Sequence, residues 1–172
     1  VQIHCNGDAT VDDALDAIEA AYGSSPAPAT GLNRIEHSTM ARADQLKRMK
    51  ALGVQPTFLM NHVFFYGAAY RDQIFGPERT AFMDPAGACI AEGLPFTLHT
   101  DAPCSPPGAL RLVQTAVTRV CDIDKSVIGP DQAISVEAAL RAVTLAAAEQ
   151  IGQGDRLGSL ETGKEADFVV LD

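Results

Sequence analysis

The sequence predicts an α/β fold built on parallel strands. Short runs of β-forming residues alternate with stretches whose apolar residues recur at helical spacing, and four such strand-then-helix units follow one another. Successive parallel strands need a crossover between them, and these helices supply it. The 172 residues, 47% of them hydrophobic, suffice for an ordinary core.

The first strand runs from Val1 to Cys5. Asp8 is placed to cap the helix that follows, with Asp12 and Asp13 favourable near its positive end. Val11, Ala14, Leu15, Ile18 and Tyr22 share one face of that helix, and Gly23 stops it. Residues 24–31, rich in proline and alanine, read as a loop. A second strand spans Asn33 to His37, then a helix spans Ala41 to Leu52, with Leu46, Met49 and Leu52 on one face and Gly53 at its end. The third strand covers Val54 to Met60. From Asn61 to Arg79 the pattern is irregular and aromatic, long enough for a functional loop containing a short helix.

Asp84 and Pro85 read as cap and first position of a helix ending at Gly93. Leu94 to Thr100 forms the fourth strand, and the proline-rich stretch 102–108 leads into a helix through Leu110, Val113, Val117 and Val120. Ser135 caps a last helix carrying Val136, Leu140 and Val143. Beyond it, residues 157–161 and 166–171, joined by the Thr162-Gly163-Lys164 turn, read as a hairpin of a different sheet.

The balance of 13 basic and 22 acidic side chains gives a net charge of −9. Such a chain repels phosphate backbones and anionic lipid, so neither nucleic acid nor membrane is an expected partner. No apolar run approaches the roughly 20 residues that span a bilayer. Cys5, Cys89, Cys104 and Cys121 form no CxxC pair and read as mostly buried thiols of a reducing, cytoplasmic setting. The chain opens and closes inside strand-like segments and lacks an initiator methionine, so it is expected to be a piece of something longer.

Three of the four histidines, His4, His37 and His99, fall at the C-terminal ends of predicted strands, where a parallel α/β fold binds its ligands. His62 follows the third strand and Asp101 the fourth. Neutral imidazoles with a carboxylate at neighbouring strand ends are donors that Zn²⁺ and similar ions accept. A single strand-end histidine is as well explained by a local hydrogen bond, and both readings stay open on placement alone. Glu36 should face away from His37, against the helices, in a structural pair. Arg119 reads either as a solvated helix residue or as a binder of an anionic substrate group. Cys5 and Cys104 have no identifiable partner base, and Gly7-Asp8 lacks a phosphate-loop fingerprint.

Four ordered motifs resemble a known family: residues 4–8 (HCNGD), 34–37 (RIEH), 99–103 (HTDAP) and 158–167 (GSLETGKEAD). In that order they resemble the C-terminal half of YtcJ-like metal-dependent hydrolases of the amidohydrolase superfamily, and residues 61–67 and 76–79 resemble one branch of it. The resemblance implies half of a (β/α)₈ barrel, strands five to eight, over residues 1–152. It also implies a C-terminal β-hairpin of a small β-sandwich over 153–172. By the same resemblance His4, His37 and Asp101 are metal ligands, the metal being zinc or another divalent ion, one or two in the full-length parent. Asp101 is also the catalytic proton carrier, and His62 looks toward the substrate; His99 and Arg119, from their own positions, are further substrate-binding candidates. The implied reaction is hydrolysis of an amide, formamide or similar C–N bond in a small molecule by an activated water.

The departures from the family pattern are specific. The superfamily's HxH pair is absent, and the four lysines, Lys47, Lys50, Lys125 and Lys164, all lie outside predicted strands, where a carboxylated lysine is not expected. Half of the metal shell is therefore missing, and the chain alone is expected to be inactive. A half barrel also leaves strand edges open, so a second copy or a missing N-terminal half is the expected partner. Two alternatives remain: a non-catalytic half-barrel binding or oligomerisation module with a vestigial site, and a deaminase of the same superfamily.

Overall fold

The computed structural model describes residues 1–23 and 33–170. The loop expected over 24–31, and the last two residues of the expected hairpin, lie outside them. Four strands, β1 (Gln2–Cys5), β2 (Asn33–His37), β3 (Val54–Phe58) and β4 (Thr97–Leu98), form one parallel sheet in the order β1-β2-β3-β4. The strands are parallel, as the alternating pattern predicted, and their sequential order is that of consecutive units in part of a β/α barrel, as the family resemblance implied.

Helix α1 (Asp8–Tyr22) follows β1 and buries Val11, Ala14, Leu15 and Ile18. Gly7 occupies the cap position rather than Asp8, because Asp8 already has helical geometry and its carboxylate serves Arg79 at 3.1 Å. Helix α2 (Ala43–Leu52) buries Leu46 and Met49 and ends on left-handed Gly53. Its buried Gln45 accepts from the Arg42 N–H at 2.9 Å and donates to the Asp8 carbonyl at 2.7 Å, joining the starts of α1 and α2. The main core lies between the sheet and these helices: Cys5, Ile35, Val54 and Phe58 from the strands meet Leu15, Leu46 and Met49.

After β3 the irregular aromatic stretch is helical almost throughout. Two π-helical turns, His62–Tyr66 and Tyr70–Ile74, flank the short α3 (Gly67–Ala69), and α4 (Gly76–Thr80) follows. Helix α5 (Ala86–Glu92) begins after Pro85, and Asp84 does not cap it. Asp84 is instead fully buried at φ 44°, its N–H donating to the Thr39 carbonyl at 2.8 Å. Strand β4 is shorter than expected because Leu94 still bonds back to Cys89 and Pro95 has no N–H to give. The His99 N–H nevertheless donates to Phe58 at 3.0 Å, carrying the β3 pairing one residue past the strand.

Helix α6 (Ala109–Thr118) buries Leu112, Val113 and Ala116, leaving Leu110 exposed. Helix α7 (Val136–Val143) is capped by Ser135 Oγ, which accepts from the Ala138 N–H at 3.1 Å, as expected. Its buried residues are Ala139 and Ala142, while Val136 and Leu140 are exposed: the small side chains let the helix approach closely, which the larger ones would prevent. Helix α8 (Leu145–Gln150) ends on Gln150, which accepts from Thr97 Oγ1 at 2.8 Å and donates to the Pro56 carbonyl at 3.3 Å, tying β3 to β4.

A smaller core holds Met40, Val63, Met83, Cys121 and Ile128. Beyond α8 the chain forms turns and extended segments without a strand ladder among residues 153–170. Just outside the two expected arms, the Glu165 N–H donates to the Arg156 carbonyl at 2.9 Å and the two side chains form an ion pair. Leu160, Phe168, Val169 and Val170 are exposed.

Candidate metal and active site

The sheet register sets the site. His4, Glu36, Thr57 and Thr97 stand level across the four strands, on the face opposite the core residues Ile35 and Phe58. Glu36 therefore shares the face of His4, contrary to the expectation that it packs against the helices, although it is in a structural ion pair, with Arg34. Strict alternation would send His37 toward the core with Cys5 and Phe58, its register partners. The backbone of His37 instead turns to φ 72°, which swings the side chain out of the strand's alternation.

This turn gathers the histidines. The His37 ring stands 4.5 Å from that of His4 and 4.9 Å from that of His99, centroid to centroid, with His62 at 6.1 Å. Asp101 follows β4 at φ 55°, and its charge reaches His37, His62 and His99. Strained backbone at two of these five residues matches the tendency of functional sites to hold side chains in costly geometry. Two nearby residues went unremarked as contributors. Thr39 Oγ1 lies 2.9 Å from His62 Nδ1 and 3.0 Å from Asn6 Oδ1. Asn6 and Thr39 each stand two residues past a strand-end histidine, and that offset is the signal that could have found them.

Burial dominates the electrostatics. It lowers the pKa of His37, aided by the charge of His4 and opposed by Asp101 and Glu36. His62 and His99 are both lowered to about 4, again chiefly by burial, with neighbouring histidines adding and Asp101 opposing. These three rings are neutral at pH 7, the state in which imidazole offers a lone pair. His37 Nδ1 and His99 Nε2 are buried without a hydrogen-bond partner. Neutral imidazoles with unmet nitrogens and a carboxylate at the same strand ends fit a divalent ion in chemistry and placement. Among the described residues, no three His, Cys, Asp or Glu side chains are yet drawn together to hold one.

Arg119 does not join the cluster. It is fully buried at the end of α6, with Nε donating to the Ile128 carbonyl at 2.9 Å and its terminal nitrogens to Met83 at 2.7 Å and Asp84 at 3.3 Å. Those donors are committed to the main chain, so neither the substrate-binding nor the solvated reading holds. Cys5 is buried against the Thr10 carbonyl and Cys104 is exposed. Tyr66 and Tyr70 present ring edges to His62 at 6.1 and 5.8 Å. Two cavities, of about 620 and 280 Å³, lie against α7 and α8 and include none of the histidines, so cavity size does not place the chemistry.

The amidohydrolase family profile matches residues 1–172. Over 170 residues, 99% of the chain, the sequence is 30% identical to N-substituted formamide deformylase of Arthrobacter pascens, covering 31% of that protein. Over 88 residues, 51% of the chain, it is 40% identical to imidazolonepropionase of Syntrophobacter fumaroxidans, covering 19% of it. The fold superimposes on an uncharacterized metal-dependent hydrolase of Pyrococcus furiosus with TM-score 0.75 at 29% identity, covering 96% of this chain and 32% of that one. The chain thus spans about a third of the length of the deformylase and of the Pyrococcus protein.

Proposed function

The chain belongs to the amidohydrolase family, and on the strength of its strand-end cluster we propose that the protein carrying it hydrolyses a C–N bond in a small molecule. The observation that carries this reading is the convergence of His4, His37 and His99, with Asp101 beside them, at one end of a parallel sheet. His4, His37 and Asp101 would hold a divalent metal, zinc being an ion that imidazole and carboxylate donors commonly bind. Such an ion, when bound, polarises the scissile carbonyl and makes water a nucleophile at neutral pH. Asp101 accepts the proton of the attacking water and returns it to the leaving nitrogen. His62 and His99, neutral at pH 7, orient the substrate. The deformylase suggests N-substituted formamides as the first compounds to try.

Completion of the site needs further ligands, because the described residues assemble no three-donor group. We place those ligands on a partner along the open edge of β1 or β4, either further chain of the same protein or a second copy. Asp101→Asn in the whole protein tests the reading. Turnover should fall at least about 100-fold, the scale of a lost proton carrier, with metal content retained by elemental analysis. Unchanged turnover would refute the role. The 172-residue chain alone should turn over none of these substrates, and robust metal-dependent turnover by it would overturn the need for a partner.

A further inference from the structure

We propose that Thr39 and Asn6 are positioning residues that fix the tautomer of His62, holding its proton on Nδ1 and leaving the Nε2 lone pair free. Thr39 Oγ1 is 3.0 Å from Asn6 Oδ1 and 2.9 Å from His62 Nδ1. A threonine hydroxyl carries one proton, and an amide oxygen only accepts. The Thr39 proton therefore goes to Asn6, and the hydroxyl oxygen is left to accept. His62 must supply the second proton in the chain, so Nδ1 is protonated and the neutral ring keeps its lone pair on Nε2.

The main chain fixes this relay from both sides. Ser38 N–H donates to Cys5 at 2.9 Å and Met40 N–H to Asn6 at 3.0 Å, which pins the turn after β2 to the loop after β1. Asp84 N–H donates to the Thr39 carbonyl at 2.8 Å. Thr39 is 2% exposed, so water does not readily replace its hydroxyl. The functional consequence, an Nε2 acceptor facing the substrate, rests on the proposed hydrolase reading, whereas the tautomer does not.

The experiment labels the four histidines with nitrogen isotope in the full chain and records long-range proton–nitrogen spectra, with His62→Gln assigning the His62 signals. In the parent, His62 should show a protonated Nδ1 and an unprotonated Nε2. Thr39→Val keeps the shape and removes the relay, and the single tautomer should give way to a mixture or to the Nε2–H form. Thr39→Ser should restore it, and Asn6→Asp, whose carboxylate accepts from Thr39 in the same way, should preserve it. Asn6 is exposed, so its substitution does not threaten the fold. A parent His62 found as the Nε2–H tautomer, which an amide turned the other way would produce, overturns the proposal. So does a folded Thr39→Val variant with an unchanged tautomer. In the active whole protein Thr39→Val should cost about tenfold in turnover, rescued by serine. A correct tautomer without hydrolase activity would sink the functional reading and leave this one standing.

Discussion

Replacing Arg119 with methionine keeps most of the buried volume and removes every donor of the guanidinium. Two buried carbonyls, Ile128 at 2.9 Å and Met83 at 2.7 Å, then lose good partners, and Asp84 at 3.3 Å loses a weaker one. Each orphaned buried acceptor costs about 1–3 kcal/mol, so the gross loss is about 2–6 kcal/mol. Against it stands relief from burying a cation, a cost visible in the lowering of the Arg119 pKa to about 10. We expect a net destabilisation of about 3 kcal/mol, a large part of the roughly 5–15 kcal/mol of an ordinary domain. Urea unfolding followed by circular dichroism is the assay. With a slope of about 2 kcal/mol per molar, the midpoint should fall by about 1.5 M. A midpoint unchanged within about 0.3 M would refute the structural role. The substrate-binding expectation makes the opposite prediction, namely normal stability with a raised KM.

Three further outcomes follow from particular contacts. Gly129 sits at φ 58°, and an added Cβ would meet the Ala81 carbonyl oxygen at 2.1 Å, whereas at Gly76, φ 79°, it would meet nothing within 4 Å. Gly129→Ala should therefore cost well over the about 1–2 kcal/mol of left-handed backbone expected for Gly76→Ala, and equal thermal midpoints would contradict the packing. Burial raises the Asp84 pKa well above its ordinary value, only partly opposed by Arg119, and both carboxylate oxygens lack hydrogen-bond partners. A raised carboxylate pKa means the folded state holds its proton longer, so the group's contribution to stability declines as pH rises above about 4. Asp84→Asn should gain stability relative to the parent between pH 4 and pH 7 in parallel melts, and a gap that narrows with pH would refute this. Of the four cysteines only Cys104 is exposed, so a thiol reagent should titrate one sulfhydryl in the native chain and four after unfolding.

The alternation of strands and helices was legible because each carries its own periodicity: Val11, Leu15 and Ile18 on α1, and Leu46 and Met49 on α2, were buried as read. Strand-end histidines were legible for the same reason, since the end of a strand is a position in sequence. What failed was direction within the strand. Period-two reasoning put Glu36 on the helix side, and it failed where the backbone of His37 left the strand, because a positive φ is not written in residue type except at glycine. Arg119 was misread because its burial depends on three carbonyls outside its own helix, two of them, Met83 and Asp84, far away in sequence. Exposed Val136 and Leu140 reflect helix packing decided by small Ala139 and Ala142, which hydrophobicity alone ranks below them.

The positive backbone angles of His37 and Asp101 set a limit on how this chain can be improved. Glycine or asparagine would relax either position, and each relaxation is a gain that a folding screen rewards. Directed evolution for solubility or heat tolerance would thus drift, at these two codons, toward sturdier proteins that have discarded their imidazole and carboxylate. A library meant to harden this scaffold should leave both codons fixed and look for its gains at the exposed helix faces instead.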